Sequence, residues 1–346
     1  MASTGEAQNG TQELTGLLQA LLMPGAYPHK PGKVDLIQTQ ISAVFLAGQY
    51  VYKIKKPVDF GFLDFTTLEK RRYYCQQELI LNRRLCPDTY LDVVPVTRVG
   101  NEYKVEGSGP AVEYAVKMLP LPHERMMDRL LEKGEITPAM VTRLAGKLVD
   151  FHERSGLSPD KAGIGGLDTV MQNTEENFDQ VEGYINRTIT RDQYDTTRIY
   201  AYSFLKKDSE LFARRIREGR IKDCHGDLHL SHICFENDIC IYDCIEFNDR
   251  FRYIDVASEV AFLAMDLDYH GRSDLAQRFV KDYVNASGDS EMLSLLNFYK
   301  CYRAYVRGKV EGFKLEDANI PQAEKSKTTA IARKYFGLAA SYASQG

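Results

Sequence analysis

The spacing of apolar and polar residues divides the chain into two parts. Over residues 34–118, short apolar runs alternate with turn residues, a pattern typical of β-strands. The predicted strands are 34–39, 43–47, 50–54, 93–99 and 111–118. A helical period over residues 68–85 interrupts them, and beyond residue 120 most apolar positions recur at helical spacing. We therefore expect an α+β fold, in which a small antiparallel sheet precedes a larger, mainly helical part.

The boundary between the two parts is predicted near residue 120. The Leu-Pro-Leu-Pro segment 119–122 cannot continue as a helix or as a central strand, because proline has no backbone N–H to donate. Ahead of the sheet, residues 1–12 are expected to form a mobile leader and 14–22 a helix. The predicted divisions are 1–33 for the leader and helix, 34–119 for the sheet part and 120–346 for the helical part.

Composition and charge narrow the class of protein. Of the 346 residues, 44% are hydrophobic and 27% are charged, as in ordinary soluble globular proteins. The net charge of −4 argues against nonspecific binding to nucleic acid. Seven scattered cysteines predict reduced thiols, and no apolar run approaches the length that spans a bilayer. We expect a cytoplasmic protein with neither a membrane nor a nucleic-acid partner.

The candidate chemistry is concentrated in residues 224–247. Asp227 follows a His-Gly pair, and Asp243 lies sixteen residues further on. Apolar runs within 233–242, joined by a turn at 236–238, predict a hairpin that brings both carboxylates to one end. Paired carboxylates suit Mg²⁺, and a phosphoryl-transfer site needs this metal together with an Asp that accepts the proton of the attacking hydroxyl.

Three lysines follow one another closely on the third predicted strand. The period of two places Lys53 and Lys55 on one face of the sheet and Lys56 on the other. A phosphoryl-transfer enzyme of the kinase type uses one strand lysine to neutralise the nucleotide phosphates, and a helix glutamate holds that lysine. The alternative is a solvated charge run on an edge strand.

The His-Gly-Asp-Leu-His segment 225–229, with Asp243 after it, resembles the catalytic loop and metal-binding Asp of the aminoglycoside phosphotransferase family. Choline and homoserine kinases are relatives of this family, and the likeness covers most of residues 34–275. It implies the two-lobe protein-kinase fold and transfer of the γ-phosphoryl group of ATP or GTP to a hydroxyl of a small molecule. The acceptor would be aminoglycoside-like, a sugar or an amino alcohol, bound by the helices of 167–218.

The resemblance also implies roles for single residues. Asp227 would position and deprotonate the acceptor hydroxyl, and His225 would brace the loop. Asp243 would hold Mg²⁺ or Mn²⁺ at the phosphates. Lys53 would neutralise charge on the nucleotide and would be held by Glu78 of the helix at 68–85.

Further positions follow from the same family plan. Lys55 is the alternative candidate for the strand lysine that neutralises the nucleotide phosphates. Ser42 and neighbouring backbone amides would cover the phosphates, because this turn lacks the glycines of a protein-kinase loop. Backbone groups around Lys117 and Leu119 would bind the base of the nucleotide. Asp255 would anchor the catalytic-loop backbone or cap a helix, and both roles are compatible.

The chain departs from the family pattern at one metal ligand. The family usually has Asn seven positions after the loop histidine, and this chain has His232 there. An imidazole suits Mn²⁺ or Zn²⁺ better than Mg²⁺. Glu246, three residues after Asp243, is the candidate for the missing oxygen ligand.

Several other interpretations remain open. The departure at the metal position motivates a nucleotide-binding, pseudokinase-like module with little or no transfer activity. A zinc site is a further reading, because three histidines and four cysteines fall within 224–244. A kinase acting on protein side chains is the third.

The resemblance is strongest to a bacterial branch often fused to a P-loop ATPase; the chain has no G-x-x-x-x-G-K-[ST] motif, so this partner is expected to be encoded separately.

Overall fold

The structure is a computed structural model. It describes residues 4–156, 161, 163–317 and 320–346. Within these ranges the strands are β1 Asp35–Gln38, β2 Ser42–Ala47, β3 Tyr50–Lys55, β4 Tyr90–Val99, β5 Glu102–Val105, β6 Ala111–Met118, β7 Ile221–Asp223, β8 Ile233–Phe235, β9 Ile239–Ile241 and β10 Tyr253–Asp255. The helices are α1 Thr4–Leu21, α2 Leu68–Asn82, α3 Met127–Glu132, α4 Pro138–Arg154, α5 Leu167–Val181, α6 Arg191–Lys207, α7 Ser209–Arg217, α8 Asp249–Arg252, α9 Val256–Tyr269, α10 Ser273–Ser287, α11 Leu293–Lys314 and α12 Gln322–Ala343.

The chain divides into two compact units, and each contains two stretches of sequence. The first unit is Met1–Arg125 with Cys234–Asn248, and the second is Met126–Ile233 with Asp249–Gly346. The segment Cys234–Asn248 thus belongs to the first unit, although it lies within the predicted range 120–346. The first unit is built on an antiparallel sheet and the second is mainly helical, so the expected α+β class is confirmed.

The sheet of the first unit has six strands in the order β1-β2-β3-β6-β4-β5. The apolar runs predicted all of them except β5, in which Val105 alone is buried. Because side chains alternate across β3, Tyr52 and Ile54 pack on one face of the sheet with α1. Val51 packs on the other face, where α2 lies, and Lys53 points to that same face.

Helix α1 begins earlier than the sequence pattern predicted. It extends from Thr4 to Leu21, so residues 4–12 are helical where the sequence predicted a leader ahead of the helix, and residues 1–3 lie outside the described chain. Leu17 and Leu21 pack into the core of the first unit. Polar composition alone was therefore a poor guide.

A disulfide joins Cys86, just beyond α2, to Cys240 of β9. The expectation of reduced thiols is wrong for this pair, because the tertiary fold brings together two cysteines that are 154 residues apart. The five other cysteines are buried thiols. The backbone N–H of Ile241 also donates to the carbonyl of Leu85 (3.4 Å), which ties the segment before Asp243 to the end of α2.

The second unit is organised around α9. Every residue from Val256 to Leu267 is buried, which explains the nearly continuous apolar run there. Helices α10 and α11 pack against α9, α4 packs against α10, and α12 packs against α11. A short antiparallel pair, β7 with β10, leads into the loop that contains Asp227. Throughout the described ranges, no helix is long and apolar enough to cross a membrane.

Candidate active site

Two lysines and three carboxylates form an ionic network in the first unit, buried except at Asp243. Lys53 Nζ lies 2.9 Å from Glu78 Oε1 and 2.6 Å from Asp243 Oδ1. Lys55 Nζ lies 2.8 Å from Glu78 Oε2 and also pairs with Glu246. Glu78 therefore bridges both lysines, and none of its side chain is exposed (0%). The structure places Lys53 beside Glu78, as predicted. Lys55, the alternative candidate for the strand lysine, contacts the same carboxylate.

The charges of this network support one another. Burial alone would lower the pKa of Lys53, but the carboxylates of Asp243 and Glu78 outweigh it and hold the pKa well above its usual value. Burial likewise favours the neutral form of Glu78, yet the two lysines lower its pKa. At Glu246 burial dominates, and its pKa is raised despite the charge of Lys55. Glu78 and both lysines are therefore charged at neutral pH.

The backbone at Asp243 adopts a left-handed conformation with φ +63°, which Asp tolerates better than most residues. The hydroxyl of Tyr90 accepts a hydrogen bond from the Asp243 N–H (3.2 Å), and Asn82 Oδ1 accepts one from the N–H of Cys244 (2.9 Å). Asn82 Nδ2 donates to the carbonyl of Glu78 (2.8 Å). Asn82 thus connects the helix that carries Glu78 to the segment that carries Asp243.

The donor set of the first unit fits a divalent cation at Asp243. Its carboxylate is a hard oxygen ligand, and 39% of the side chain is exposed. Glu246 is different, because its side chain is 6% exposed and its Oε1 pairs with Lys55. Coordination by Glu246 would require Lys55 to lose that partner. Asp243 also pairs with a lysine, Lys53, but its side chain is much more exposed than that of Glu246, so Asp243 is the better candidate ligand of the two.

The turn between β1 and β2 is closed by Thr39. The N–H of Ser42 donates to Thr39 Oγ1 (3.0 Å), and the carbonyl of Ser42 accepts from the Thr39 N–H (2.9 Å). Only 2% of Ser42 is exposed. A threonine side chain thus orders this turn where protein kinases have glycines. The contact of Ser42 with nucleotide phosphates stays a prediction.

The side chain of Lys117 lies on the opposite face of the sheet from Lys53. Lys117 Nζ donates to Glu106 Oε1 (2.7 Å) and sits 4.3 Å from the ring centroid of Tyr50. The backbone N–H of Leu119 already donates to the carbonyl of Thr89 (2.9 Å). Any contact of Lys117 with a nucleotide base would therefore use its backbone, and the role predicted for this segment stays a prediction.

A buried glutamate holds the His-Gly-Asp loop in the second unit. Glu259 Oε1 accepts hydrogen bonds from the N–H of His225 (2.7 Å) and the N–H of Gly226 (2.8 Å). Glu259 Oε2 lies 2.8 Å from Nε2 of His152, whose Nδ1 lies 2.8 Å from the hydroxyl of Tyr283. These groups are buried, so the loop backbone is fixed by bonds that water does not screen.

For Asp255 the sequence predicted a loop anchor or a helix cap; the cap is confirmed, and the residue that anchors the loop is Glu259 instead. Asp255 Oδ1 caps α9 by accepting from the N–H of Ala257 (2.8 Å), and both of its oxygens accept from the guanidinium of Arg215 (2.7 and 2.8 Å). Glu259 lies one helical turn further along α9 and therefore faces the loop. Glu259 and Asp266 are charged residues within the otherwise apolar, buried run of α9, and this was the available signal, because a buried charge requires partners.

Asp227 lies between two imidazoles in the second unit. Its Oδ2 is 3.5 Å from Nε2 of His229 and 3.6 Å from Nδ1 of His232, and its N–H donates to Nδ1 of His225 (3.3 Å). Burial would raise the pKa of Asp227, but His229, His232 and Arg307 hold it well below its usual range. The carboxylate is therefore ionised at neutral pH, and 33% of the side chain is exposed.

The Glu259 carboxylate makes the stability of this unit depend on pH. Burial would raise its pKa, but hydrogen bonding and charge from His152, together with the charge of His225, lower it from 4.5 to about 2. The shift corresponds to roughly 3 kcal/mol of stability, fully present above pH ~4.5 and lost as the pH falls toward 2. Urea unfolding of the wild type and Glu259→Gln should show a difference that shrinks between pH 6 and pH 3. The exposed variant Glu153→Gln should follow the wild type at every pH, and a constant difference for Glu259→Gln would contradict this assignment.

The sequence was compared with known families and curated proteins. No protein-family model matches the chain. An uncharacterized protein of Mycobacterium tuberculosis (strain H37Rv) is 33% identical over 279 residues, which are 80% of this chain and 54% of that protein. A Mycobacterium bovis protein, also uncharacterized, matches with the same values. The chain spans about half the length of the curated relatives it matches.

Solved structures decide the fold. The crystal structure of a choline/ethanolamine kinase family protein from Mesorhizobium loti matches 96% of this chain and 100% of that chain, with a TM-score of 0.53 and 12% identity. The GDP complex of aminoglycoside 2'-phosphotransferase-IIIa matches 89% of this chain and 93% of that chain, with a TM-score of 0.52 and 12% identity. The chain has the protein-kinase-like fold of choline kinases and aminoglycoside phosphotransferases. The fold implied by the His-Gly-Asp segment is thereby confirmed.

Each unit of this kinase-like chain assembles part of the predicted residue set. The ionic network of the first unit connects Lys53, Glu78, Asp243 and Glu246. The second unit brings together His225, Asp227 and His232. Ser42, Lys117 and Leu119 stand outside the ionic network and are bonded to other groups of the first unit. Sequence reasoning missed Asn82, Tyr90 and Glu259, whose partners lie far away along the chain.

Proposed function

We propose that the chain is a small-molecule kinase that transfers the γ-phosphoryl group of ATP or GTP to a hydroxyl. The observation that carries the proposal is the buried network in which Lys53 contacts both Glu78 and Asp243. A lysine and carboxylates held in this way are the parts that nucleotide phosphates and a divalent cation require. The fold adds support, because the similar solved structures include a choline/ethanolamine kinase family protein and a phosphotransferase bound to GDP.

On the nucleotide side, Lys53 would bind the phosphates while Glu78 keeps its ammonium group in place. Asp243 would hold Mg²⁺ or Mn²⁺, and a bound cation would neutralise charge on the phosphates. Lys55 remains with Glu78 and Glu246 in this proposal, because it is almost completely buried (1% exposed). Its task is to fix Glu78 in position for Lys53.

On the acceptor side, Asp227 would bind the hydroxyl of the substrate and accept its proton. A carboxylate with a low pKa can serve here, because the transition state of phosphoryl transfer is loose and demands little basicity. The backbone of His225 and Gly226 is fixed by Glu259, which keeps Asp227 in one position. This arrangement supplies orientation, which contributes a large share of the rate in such reactions.

The acceptor is proposed to be a sugar, an amino alcohol or an aminoglycoside-like compound. The helices α5, α6 and α7 of the second unit, with many charged and polar residues, are the proposed walls of its site. Asn177 and Gln180 of α5 accept hydrogen bonds from Lys309 (2.6 and 2.8 Å). Polar groups of this kind would suit a hydroxyl-rich acceptor.

Nucleotide binding through Asp243 can be tested by thermal unfolding. ATP or GTP with Mg²⁺ or Mn²⁺ should stabilise the wild type by about 2.7 kcal/mol at a hundred times Kd, which is a rise of a few degrees in Tm. Asp243→Asn should lose most of this rise, because the metal loses a charged ligand. Asp88→Asn, an exposed substitution in the same unit, should keep it. An equal rise in Asp243→Asn would remove Asp243 from the nucleotide site.

A nucleotide-binding module without transfer activity is the second candidate. His232 favours it, because the family usually has Asn at this position and the imidazole instead lies beside Asp227. The two candidates differ in turnover. Nucleotide-dependent stabilisation without any release of ADP, across acceptors of all three classes, would support the regulatory module and reject the kinase.

A further inference from the structure

Three side chains of the His-Gly-Asp loop place ligand-type atoms close together. Asp227, His229 and His232 each contribute one atom, and these atoms all lie within 4.8 Å of one another. Nε2 of His229 and Nδ1 of His232 are 3.5 and 3.6 Å from Oδ2 of Asp227. Nδ1 of His232 also lies 3.0 Å from the backbone carbonyl oxygen of Asp227, and an ion bound through this nitrogen replaces that hydrogen bond. The two imidazole rings lie 3.8 Å apart between centroids. All three residues belong to the second unit.

The two separations from Asp227 Oδ2 are close to those between ligands around a tetrahedral ion. Bonds of about 2.0–2.2 Å in a tetrahedral site place neighbouring ligand atoms roughly 3.3–3.5 Å apart. Two imidazoles and one carboxylate select first-row transition ions over Mg²⁺, which prefers oxygen ligands. Three protein ligands also leave a fourth position for water, as in zinc sites that are open to solvent.

The loop holds the ligands in this arrangement. Nδ1 of His229 lies 3.0 Å from the hydroxyl of Ser231, which turns Nε2 toward Asp227. Such outer partners orient the histidines of metal sites. The N–H of His232 donates to the carbonyl of His229 (3.0 Å), so one short turn brings the second ring back beside the first. The N–H of Leu230 donates to Asp266 (2.9 Å), which fastens this turn to α9.

Within the described chain, one other set of three residues has its ligand-type atoms within 4.8 Å of one another, and it is a poorer candidate for a metal site. This set contains His152, Cys224 and Glu259. Glu259 already binds both the His152 ring and two backbone amides, and all three residues are buried. In contrast, Asp227 is one-third exposed (33%), so an ion can reach it from solvent.

We propose that Asp227, His229 and His232 form a binding site for one first-row transition-metal ion, with Zn²⁺ as the representative. Binding ties the Asp227 carboxylate to the ion. If the proposed kinase function is correct, occupancy of this site withdraws Asp227 from the acceptor hydroxyl and inhibits transfer. The proposed Mg²⁺ or Mn²⁺ ligand Asp243 belongs to the first unit and is not one of these three residues.

Cobalt titration tests the site without reference to catalysis. The untagged full chain, stripped with a chelator, is titrated with Co²⁺ and its visible d–d absorption is followed. The wild type should bind one Co²⁺ with the intense bands of a tetrahedral site, and Zn²⁺ should remove them. His232→Asn should weaken Co²⁺ binding at least tenfold, whereas the same substitution at the exposed His123 should leave it unchanged.

Metal-independent unfolding curves show whether each variant is folded, and His229→Gln provides a second test if His232→Asn is not. Absence of tetrahedral Co²⁺ absorption in the wild type would overturn the proposal, as would unchanged binding in a folded His232→Asn or His229→Gln. Inhibition is measured separately, as the Zn²⁺ concentration that halves ATP turnover. This value should rise at least tenfold in His232→Asn. A chain that binds Co²⁺ but shows no turnover would retain the metal site and reject the kinase function.

Discussion

Replacing Asp227 with Asn is expected to lower phosphoryl transfer by about 10²–10⁴-fold, because the acceptor hydroxyl loses the group that orients it and accepts its proton. The amide keeps the size of the side chain but cannot act as a base. Release of ADP, measured with ATP and pooled sugars, amino alcohols and aminoglycosides, provides the readout. The nucleotide-dependent rise in Tm should remain, since the proposed nucleotide contacts are made by Lys53, Glu78 and Asp243.

The matched control for this variant is Asp150→Asn, an exposed substitution on α4 of the same unit. It should turn over ATP at the wild-type rate. If Asp227→Asn retains wild-type turnover, Asp227 is not the base, and the mechanism proposed for the acceptor side is wrong. If turnover and nucleotide binding are lost together, the variant has disturbed more than the proton transfer.

The second large effect is expected from Glu78→Gln, which should destabilise the protein by about 3–5 kcal/mol. Glu78 is the shared partner of Lys53 and Lys55, and it is completely buried. A neutral amide in its place removes one of the two carboxylates that each lysine contacts and leaves the charges of the network unbalanced, and breaking a buried ion pair in this way is costly. Urea unfolding at neutral pH measures the loss.

Two comparisons make this prediction specific. Glu69→Gln changes an exposed glutamate in the first turn of the same helix and should cost less than ~1 kcal/mol. Lys55→Met added to Glu78→Gln should cost less than the sum of the two single changes, because contacting residues do not contribute independently. A loss below ~1 kcal/mol for Glu78→Gln would show that the ionic network contributes little to stability.

The apolar pattern was informative where one face of an element is buried. Alternation in β2 and β3 predicted strands at the observed positions, and the helical spacing over 68–85 predicted α2. It failed for β5, which has a single buried residue, and for the start of α1. Periodicity reports burial of a face and therefore does not detect elements that bury little.

In the candidate site, too, local features were predicted from the sequence and long-range contacts were not. The spacing of Lys53 and Lys55 on one strand face is a local property, and the sequence predicted it. The sequence did not indicate that both lysines would share Glu78, or that Lys55 would also reach Glu246, 191 residues away. The disulfide between Cys86 and Cys240 was missed for the same reason.

By itself, the sequence determined the α+β class, the main strands and helices, and a compact set of candidate catalytic residues around Asp227 and Asp243. These features follow from local periodicity, from proline and from the order of residues within one short segment. The tertiary structure alone decided that Glu259 rather than Asp255 anchors the loop, that Asn82 and Tyr90 hold the segment of Asp243, and that two histidines flank Asp227. The physical reason is that hydrogen bonds and ion pairs depend on distances in space, and residues far apart along the chain acquire those distances only when it folds.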